Sequence, residues 1–227
     1  NEMKNVIYFL VLLLSYSQAT SQLEMSNWYF GNRAAIKFDP ITKIPSNVGN
    51  SALNNWEGCA SISDNFGNLL FYTNGEEVWN FNNVTMENGT GLNGCYSSTQ
   101  SAIIVPMPGS PKKYYVITAD CNEYQRNGIR YSIVDMEKNS GQGKVTLKNQ
   151  LMLENATEHI CGIRHTNNTD VWVITYYWYE NTFYSFLFTK NGIEKTVKSK
   201  GNLTSYSVTG CYLKGSHNGD KIVFSHG

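Results

Sequence analysis

The sequence has little charge and no excess of either sign. It contains 18 basic and 18 acidic residues, and only 16% of its residues are charged. It has no run of lysine or arginine, and so it lacks the basic surface with which proteins bind nucleic acid or anionic membranes. We therefore expect neither nucleic acid nor an anionic membrane as a partner.

Standard catalytic signatures are also missing. The sequence has no G-x-S-x-G motif, no H-E-x-x-H motif and no Walker phosphate loop. Its four histidines, at positions 159, 165, 217 and 226, form no closely spaced pair of metal ligands. The sequence therefore predicts no catalytic residue, no metal and no cofactor, and it leaves open whether the protein is an enzyme.

One long apolar run is present, at the start of the chain. It extends from Val6 to Leu14 behind Lys4, and Ser17–Ala19 fits the small-x-small rule for signal peptidase. A membrane span needs about 20 apolar residues, and polar residues from Ser15 onward stop this run short of that length. The pattern therefore favours a secretory signal peptide over a membrane span.

We predict a signal peptide at residues 1–19 and a mature domain at 20–227. Asn1 and Glu2 precede the start at Met3 and are interpreted as translated upstream sequence. The predicted protein is secreted or lies on the outer cell surface, with no membrane insertion after the signal is cleaved.

Helical periodicity is absent beyond residue 20. No segment there sustains apolar residues at i, i+3, i+4 and i+7, which excludes a solenoid of helices. Aromatic residues make up 13% of the chain, and 15 tyrosines are scattered among short β-branched runs. Such mixtures suit half-buried strands, and we predict an all-β fold.

A strand-turn-strand pattern recurs along the chain. Three copies align without a gap, CASISDNFGNLLFYT (59–73), CGIRHTNNTDVWVIT (161–175) and CYLKGSHNGDKIVFS (211–225). A fourth unit, SAIIVPMPGSPKKYYVIT (101–118), fills the longest interval. The units recur roughly every 50 residues, and a period of this size with several strands is typical of β-propeller blades.

Further strands follow two of these units. Residues 128–136 and 143–153 form one predicted hairpin, and residues 183–189 and 193–201 flank an Asn-Gly turn, a strong hairpin signal. Residues 76–100, which are rich in Asn and Gly, predict a short hairpin or a loop. The prediction is a β-propeller of four-stranded antiparallel blades, with about four repeat units in this chain.

The fourth unit ends directly after its second strand. Either a four-bladed ring closes with residues 27–38 as the missing outer strands, or the propeller is incomplete at its C-terminus. We favour the incomplete propeller, since an open blade exposes unpaired backbone.

The five cysteines fall into two groups. Cys59, Cys161 and Cys211 occupy equivalent positions in three units, where we expect small buried residues of the innermost strand. Cys95 and Cys121 lie outside this pattern. In an oxidising compartment they form a possible disulfide, although spacing alone does not establish the pairing.

Polar residues precede the innermost strand of several units and are the candidate site. They are Glu57, Gln100, Glu158 and His159. In a propeller these positions lie near one mouth of the central channel, which predicts ligand binding there. We prefer the alternative, in which they satisfy the backbone at strand ends. Asp and Asn in the hairpin turns also allow a calcium-loop interpretation, but we prefer turn formation because these side chains bond their own backbone.

Ordered blocks over residues 28–225 resemble a known family. They include WYFGNRAAIKF, EGCASISDNFGNLLFYTNGEEVWN, MENGTGL, SSTQSAIIVPMPGSPKKYYVIT, GIRYSIVDM, WVITYYW and GCYLKGSHNGDKIVFS. Together they resemble the N-terminal β-propeller region of large secreted Bacteroidetes proteins, many of which carry the gliding-motility-associated sorting domain of type IX secretion. The resemblance implies a secreted or surface propeller and supplies no catalytic residue. The sorting domain is absent, and His217-Asn218-Gly219 departs from the Pro-Asp-Gly turn often found in such propellers.

Three functions remain open at this point. The first is a binding or scaffold module for glycans or surface proteins in adhesion or assembly, in an undetermined oligomeric state. The second is a polysaccharide hydrolase or lyase in which Glu57 and Glu158 are the working carboxylates, which requires them to lie about 5 to 10 Å apart. The third is a purely structural module.

Overall fold

The computed structural model describes residues 23–123, 127–202 and 212–225. The predicted signal peptide, Cys211 and His226 lie outside these residues. The described residues form sixteen strands in five antiparallel sheets, with three 3-10 helices of three residues each. The all-β prediction is confirmed. None of the helices in the described ranges has the length and apolar character needed to cross a bilayer.

The first two sheets have three strands each. The first sheet contains β1 (Asn27–Phe30), β2 (Ala34–Phe38) and β3 (Pro45–Asn47). The second sheet contains β4 (Ala60–Ser63), β5 (Leu69–Thr73) and β6 (Val78–Asn80). Residues 27–38, which the sequence suggested as outer strands of another unit, therefore pair with residues 45–47 in a sheet of their own.

The next two sheets have four strands each, and the fifth has two. The third sheet contains β7 (Ala102–Pro106), β8 (Lys113–Ala119), β9 (Ile129–Asp135) and β10 (Lys144–Leu153). The fourth contains β11 (Ile160–Arg164), β12 (Val171–Tyr177), β13 (Thr182–Thr189) and β14 (Gly192–Lys200). The fifth contains β15 (Leu213–Gly215) and β16 (Ile222–Phe224). In every sheet the strand order follows the chain order.

The repeated hairpins are closed by polar side chains at their turns. Asp64 Oδ1 accepts the backbone N–H groups of Phe66 and Asn68, at 2.9 and 2.8 Å. In the fifth sheet, Ser216 Oγ accepts the N–H of Lys221. Burial of Asp64 opposes its ionisation, but hydrogen bonds from Asn68 and Phe66 hold its pKa below the usual value. These side chains form the turns, as the preferred interpretation expected.

A loop takes the place of a fourth strand in the second sheet. Residues 81–93 cross to the third sheet and cover the outer edge of β10. There Val145 donates its N–H to the Glu87 carbonyl, and the side chains of Asn88 and Lys148 donate to the carbonyls of Val145 and Thr90. The loop thus satisfies edge backbone that would otherwise attract another strand.

Consecutive sheets pack face to face through separate apolar clusters. The four clusters centre on Tyr29 with Tyr72, on Phe71 with Val116, on Ile117 with Phe186, and on Ile174 with Leu213. Phe188 is fully buried, and its ring centroid lies 4.8 Å from that of Tyr115 in the third sheet. Truncating such a buried ring usually costs about 3 to 5 kcal/mol, so these clusters fix the angle between sheets.

The first strands of neighbouring sheets contact each other in sequence, β1 with β4, β4 with β7, β7 with β11 and β11 with β15. The last four begin at the same end of the molecule. Gln100, just before β7, bonds Ile160 and Leu213 at the starts of β11 and β15, and the neighbouring Ser101 hydroxyl donates to the Gly58 carbonyl just before β4. β1 runs in the opposite direction, with Asn27 bonded to Ser63 at the end of β4. The described residues do not form a closed ring.

Gly58 tests how tightly these first strands are packed. A Cβ at this position would overlap the Ser101 backbone nitrogen and lie 2.8 Å from the Ser98 carbonyl oxygen. We expect Gly58→Ala to lower the free energy of unfolding by about 2 kcal/mol, measured by urea denaturation, because backbone atoms must move to admit the methyl group. The matched control is Gly162→Ala, where the nearest atom to the new Cβ is 3.7 Å away. Equal losses in the two variants would contradict this packing.

Candidate ligand-binding site

The first strands of all five sheets line one cavity of about 620 Å³. This volume lies in the range of small-molecule and cofactor pockets, about 300 to 1,000 Å³. The cavity wall is built from β1, β4, β7, β11 and β15 together with the residues just before them. Five separate segments of the chain converge on this space, and we take it as the candidate site.

One wall of the cavity is aromatic and comes from β1. Side chains alternate along this strand, so that Tyr29 is buried against Tyr72 of the second sheet while Trp28 and Phe30 are 49% and 40% exposed. The Trp28 ring is held in place by an edge contact with Phe38 and by a hydrogen bond from Nε1 to the Met25 carbonyl. An ordered, accessible indole is therefore available to a ligand.

The facing walls combine small residues with the aliphatic side chains of β7, β11 and β15. Ala60, Ala102, Gly162 and Gly215 line them. A Cβ on Gly215 would come within 2.7 Å of the Ile163 side chain, so this position has no room for one. At Gly162 a Cβ would meet only ordinary contacts, with Ile103, Val171 and Val105 at 3.7 to 4.0 Å.

Cys59 and Cys161 line the cavity as well. Both are free thiols, and burial raises the pKa of each. Raised pKa values keep thiols protonated and unreactive, which fits the expected role as small packing residues.

Gln100 joins three first strands at one end of the cavity. Its Nε2 donates to the Ile160 carbonyl at 3.0 Å, and its Oε1 accepts the Leu213 N–H at 3.0 Å. The side chain therefore reaches from the start of β7 across β11 to β15. Of the four predicted site residues it is the one that lines the cavity, and its amide also serves strand ends, as the alternative reading proposed.

Glu158 is buried and fully engaged in hydrogen bonds. Its Oε2 accepts the backbone N–H and the hydroxyl of Thr99, at 2.9 and 2.8 Å, and its Oε1 accepts the N–H of Asn122 at 2.8 Å. The side chain connects the segment before β7 with the segment after β8. This favours a structural role over ligand binding.

His159 and Glu57 lie in opposite environments. His159 is fully buried, and its ring meets that of Phe224 edge-on at 5.0 Å, so a ligand in the cavity does not reach it. Glu57 is exposed, and its neighbour Trp56 is 77% exposed with an edge contact to Tyr96. The structure thus separates the four predicted residues: two are interior, one crosses the cavity end, and one is on the surface.

Cys95 and Cys121 form a disulfide, with a Cα–Cα distance of 5.4 Å. Among the described residues, the two sulfur atoms and the Asp120 carboxylate are the one group of potential metal ligands whose atoms lie close together. Because both sulfurs are in the disulfide, they are not available as thiolate ligands. The bond instead joins the same two segments that Glu158 connects.

Sequence reasoning missed the aromatic wall. Trp28 and Phe30 precede the first recognised repeat, and residues 27–38 were considered only as outer strands. The sequence Asn-Trp-Tyr-Phe predicts that alternate side chains lie on opposite faces of the strand. It does not tell which of the two faces lines a cavity.

No protein-family model matches the chain, and no characterised protein matches it either.

Removing the acceptor at Glu158 should destabilise the fold. We expect Glu158→Gln to lower the free energy of unfolding by about 2 to 3 kcal/mol, because an amide NH₂ would then face a donor inside the protein. Glu57→Gln is the matched control, and we expect it to be neutral because Glu57 is exposed. Urea denaturation measures both, and an unchanged Glu158→Gln would refute the structural role.

The disulfide should contribute to stability to a similar extent. It closes a loop with a sequence separation of 26, for which chain entropy predicts roughly 3 kcal/mol. We expect dithiothreitol to lower the denaturation midpoint of the wild type and to leave that of a Cys95→Ser/Cys121→Ser variant unchanged. A wild-type midpoint that does not respond to reductant would contradict this expectation.

Proposed function

We propose that the protein is a secreted or cell-surface binding module of the β-propeller class, and that its ligand enters the cavity lined by the first strands. The single observation that carries the proposal is the convergence of five consecutive sheets on one cavity of about 620 Å³. Cavities of this size at the meeting point of several elements are where ligands usually bind.

The propeller assignment is supported by how the sheets are arranged. Each sheet is an antiparallel meander whose first strand is innermost, and consecutive sheets pack face to face. In propellers the blades are sheets of four strands arranged radially about a central channel. Two of the five sheets have four strands, and the loop at residues 81–93 explains why the second has three.

The cavity wall favours a glycan as the ligand. Trp28 and Phe30 offer aromatic surface, while Lys214 and Ser61 offer polar groups on other sides. A sugar ring has apolar faces that stack on aromatic rings and hydroxyl groups that need hydrogen-bond partners. A loop of a surface protein with an apolar tip is the alternative ligand within the same proposal.

Secretion is supported by the disulfide and by the signal-like N-terminus. Disulfides persist in oxidising compartments outside the cytosol. The resemblance to surface propellers of Bacteroidetes agrees with such a location, and adhesion or surface assembly is the process it suggests.

The hydrolase alternative receives less support. It requires Glu57 and Glu158 as working carboxylates, but both oxygens of Glu158 already accept hydrogen bonds from Thr99 and Asn122. A purely structural module is also less favoured, because large side chains would then be expected to fill the space between the first strands.

Gly162→Phe tests the proposal directly. Gly162 lines the cavity, and a Cβ there would lie at ordinary contact distances, 3.7 to 4.0 Å, from Ile103, Val171 and Val105, so the new ring would take up space in the wall between β7 and β11. A glycan array first identifies a ligand for the mature protein. We then expect Gly162→Phe to weaken binding of that ligand at least tenfold, a change of about 1.4 kcal/mol, in isothermal titration.

Gly162→Ala is the control and should bind almost as well as the wild type, with both variants unfolding at the same temperature as the wild type. If Gly162→Phe folds normally and binds the ligand as tightly as the wild type does, the cavity is not the binding site.

A further inference from the structure

A second group of aromatic side chains lies outside the cavity, between β12 and β13. Tyr177, Trp178 and Tyr179 are consecutive, and a 3-10 helix spans Trp178–Glu180. The ring centroids of Trp178 and Tyr179 are 4.1 Å apart, those of Tyr177 and Tyr179 are 5.6 Å apart, and Tyr177 meets Tyr184 at 5.8 Å. We call Tyr177, Trp178 and Tyr179 the aromatic tip.

The aromatic tip is accessible to large ligands. Tyr179 is 59% exposed, and Tyr177 and Trp178 are half-buried. None of the three lines the cavity. Because β12 runs antiparallel to β11, the tip lies at the end of the molecule where β11 begins, the same end as Gln100.

Several hydrogen bonds hold the tip in one conformation. Asn181 adopts a left-handed conformation with φ of 49°, and its N–H closes the helix on the Trp178 carbonyl. Its side-chain oxygen accepts the Tyr176 hydroxyl at 2.9 Å. The Glu180 carbonyl accepts the Lys200 ammonium group at 3.0 Å. The backbone that carries the three rings is therefore held in one conformation before any ligand arrives, which reduces the entropy lost on binding.

Charged and polar groups border the rings. Glu180 Oε2 accepts the Tyr184 hydroxyl at 3.2 Å and lies 4.0 Å from Lys198 Nζ. Lys198 Nζ also lies 4.6 Å from the centroid of the Tyr184 ring. Hydrogen-bond donors and acceptors thus stand beside exposed ring surface.

We propose that the aromatic tip is a second binding site, which takes the sugar rings of a polysaccharide chain. Exposed rings pack against the apolar faces of sugar rings, and Glu180 and Lys198 offer partners to the hydroxyl groups. The tip is a convex surface with no enclosing pocket, which suits a long external chain better than a small molecule. The site is independent of the ligand proposed for the cavity.

Native gel electrophoresis in gels that contain one soluble polysaccharide each tests this site. The probes are hydroxyethylcellulose, xylan, laminarin and alginate, with the mature protein as the sample. We expect at least one of them to retard the wild type. Tyr179→Ala should weaken that retardation about fivefold, as judged from its dependence on polysaccharide concentration, because one stacking surface is lost.

Two controls locate the effect. Phe66 is 73% exposed and lies in the turn between β4 and β5, at the opposite end of the molecule. Phe66→Ala and the cavity variant Gly162→Phe should both be retarded like the wild type. If Gly162→Phe abolishes retardation as well, the polysaccharide binds in the cavity and the second site is refuted.

Other results would also overturn the proposal. Retardation by none of the four polysaccharides, or equal retardation of wild type and Tyr179→Ala, would do so. Binding of the tip to phosphatidylglycerol vesicles, lost in Tyr179→Ala while no polysaccharide binds, would assign it to a membrane surface instead. If Tyr179→Ala fails to fold, Tyr179→Leu keeps apolar volume without the ring and gives the same comparison.

Discussion

The close approach of backbone to backbone where the first strands meet is the constraint on which most of this structure depends. Five strands from consecutive sheets converge there, and backbone passes so close to backbone that Gly58 has no room for a side chain. Small residues such as Ala60, Ala102 and Gly215 follow from the same limit. The cavity lies beside these close approaches, between the same first strands, and the proposed ligand site is thus part of the region that holds the sheets together.

The polar residues near the starts of these strands follow from the same convergence. Backbone groups at strand ends need partners, and water has little access to them. Gln100 and Glu158 supply these partners by reaching between sheets. Side chains that look like a ligand site in the sequence therefore serve mainly to connect segments. The two proposed binding sites rest instead on exposed aromatic surface, at Trp28 and at Tyr179.

Local features of the fold could be predicted from the sequence, and contacts between distant segments could not. Strand alternation and turn residues such as Asp64 act over a few positions, so the four repeated hairpins were predictable at nearly the right residues. The crossing of residues 81–93 to β10 depends on pairing with a segment about 60 residues later, for which the Asn-rich sequence contains no signal. Burial of Glu158 and His159 was unpredictable for the same reason, because their surroundings come from elsewhere in the chain.

The loop at residues 81–93 also affects which parts of the protein unfold together. Residues 87–93 bond to the edge of β10, and a few residues later the disulfide Cys95–Cys121 joins the segment before β7 to the segment after β8. The second and third sheets are thus joined by hydrogen bonds of the loop and by a shared apolar cluster, and the disulfide holds the connection between them. Regions tied in several ways exchange their amide protons together, as one cooperative unit. The second and third sheets should therefore unfold together as one unit. The fluctuations that admit a ligand to the cavity would then occur in β1 and β15, which lie at the two ends of the series of first strands.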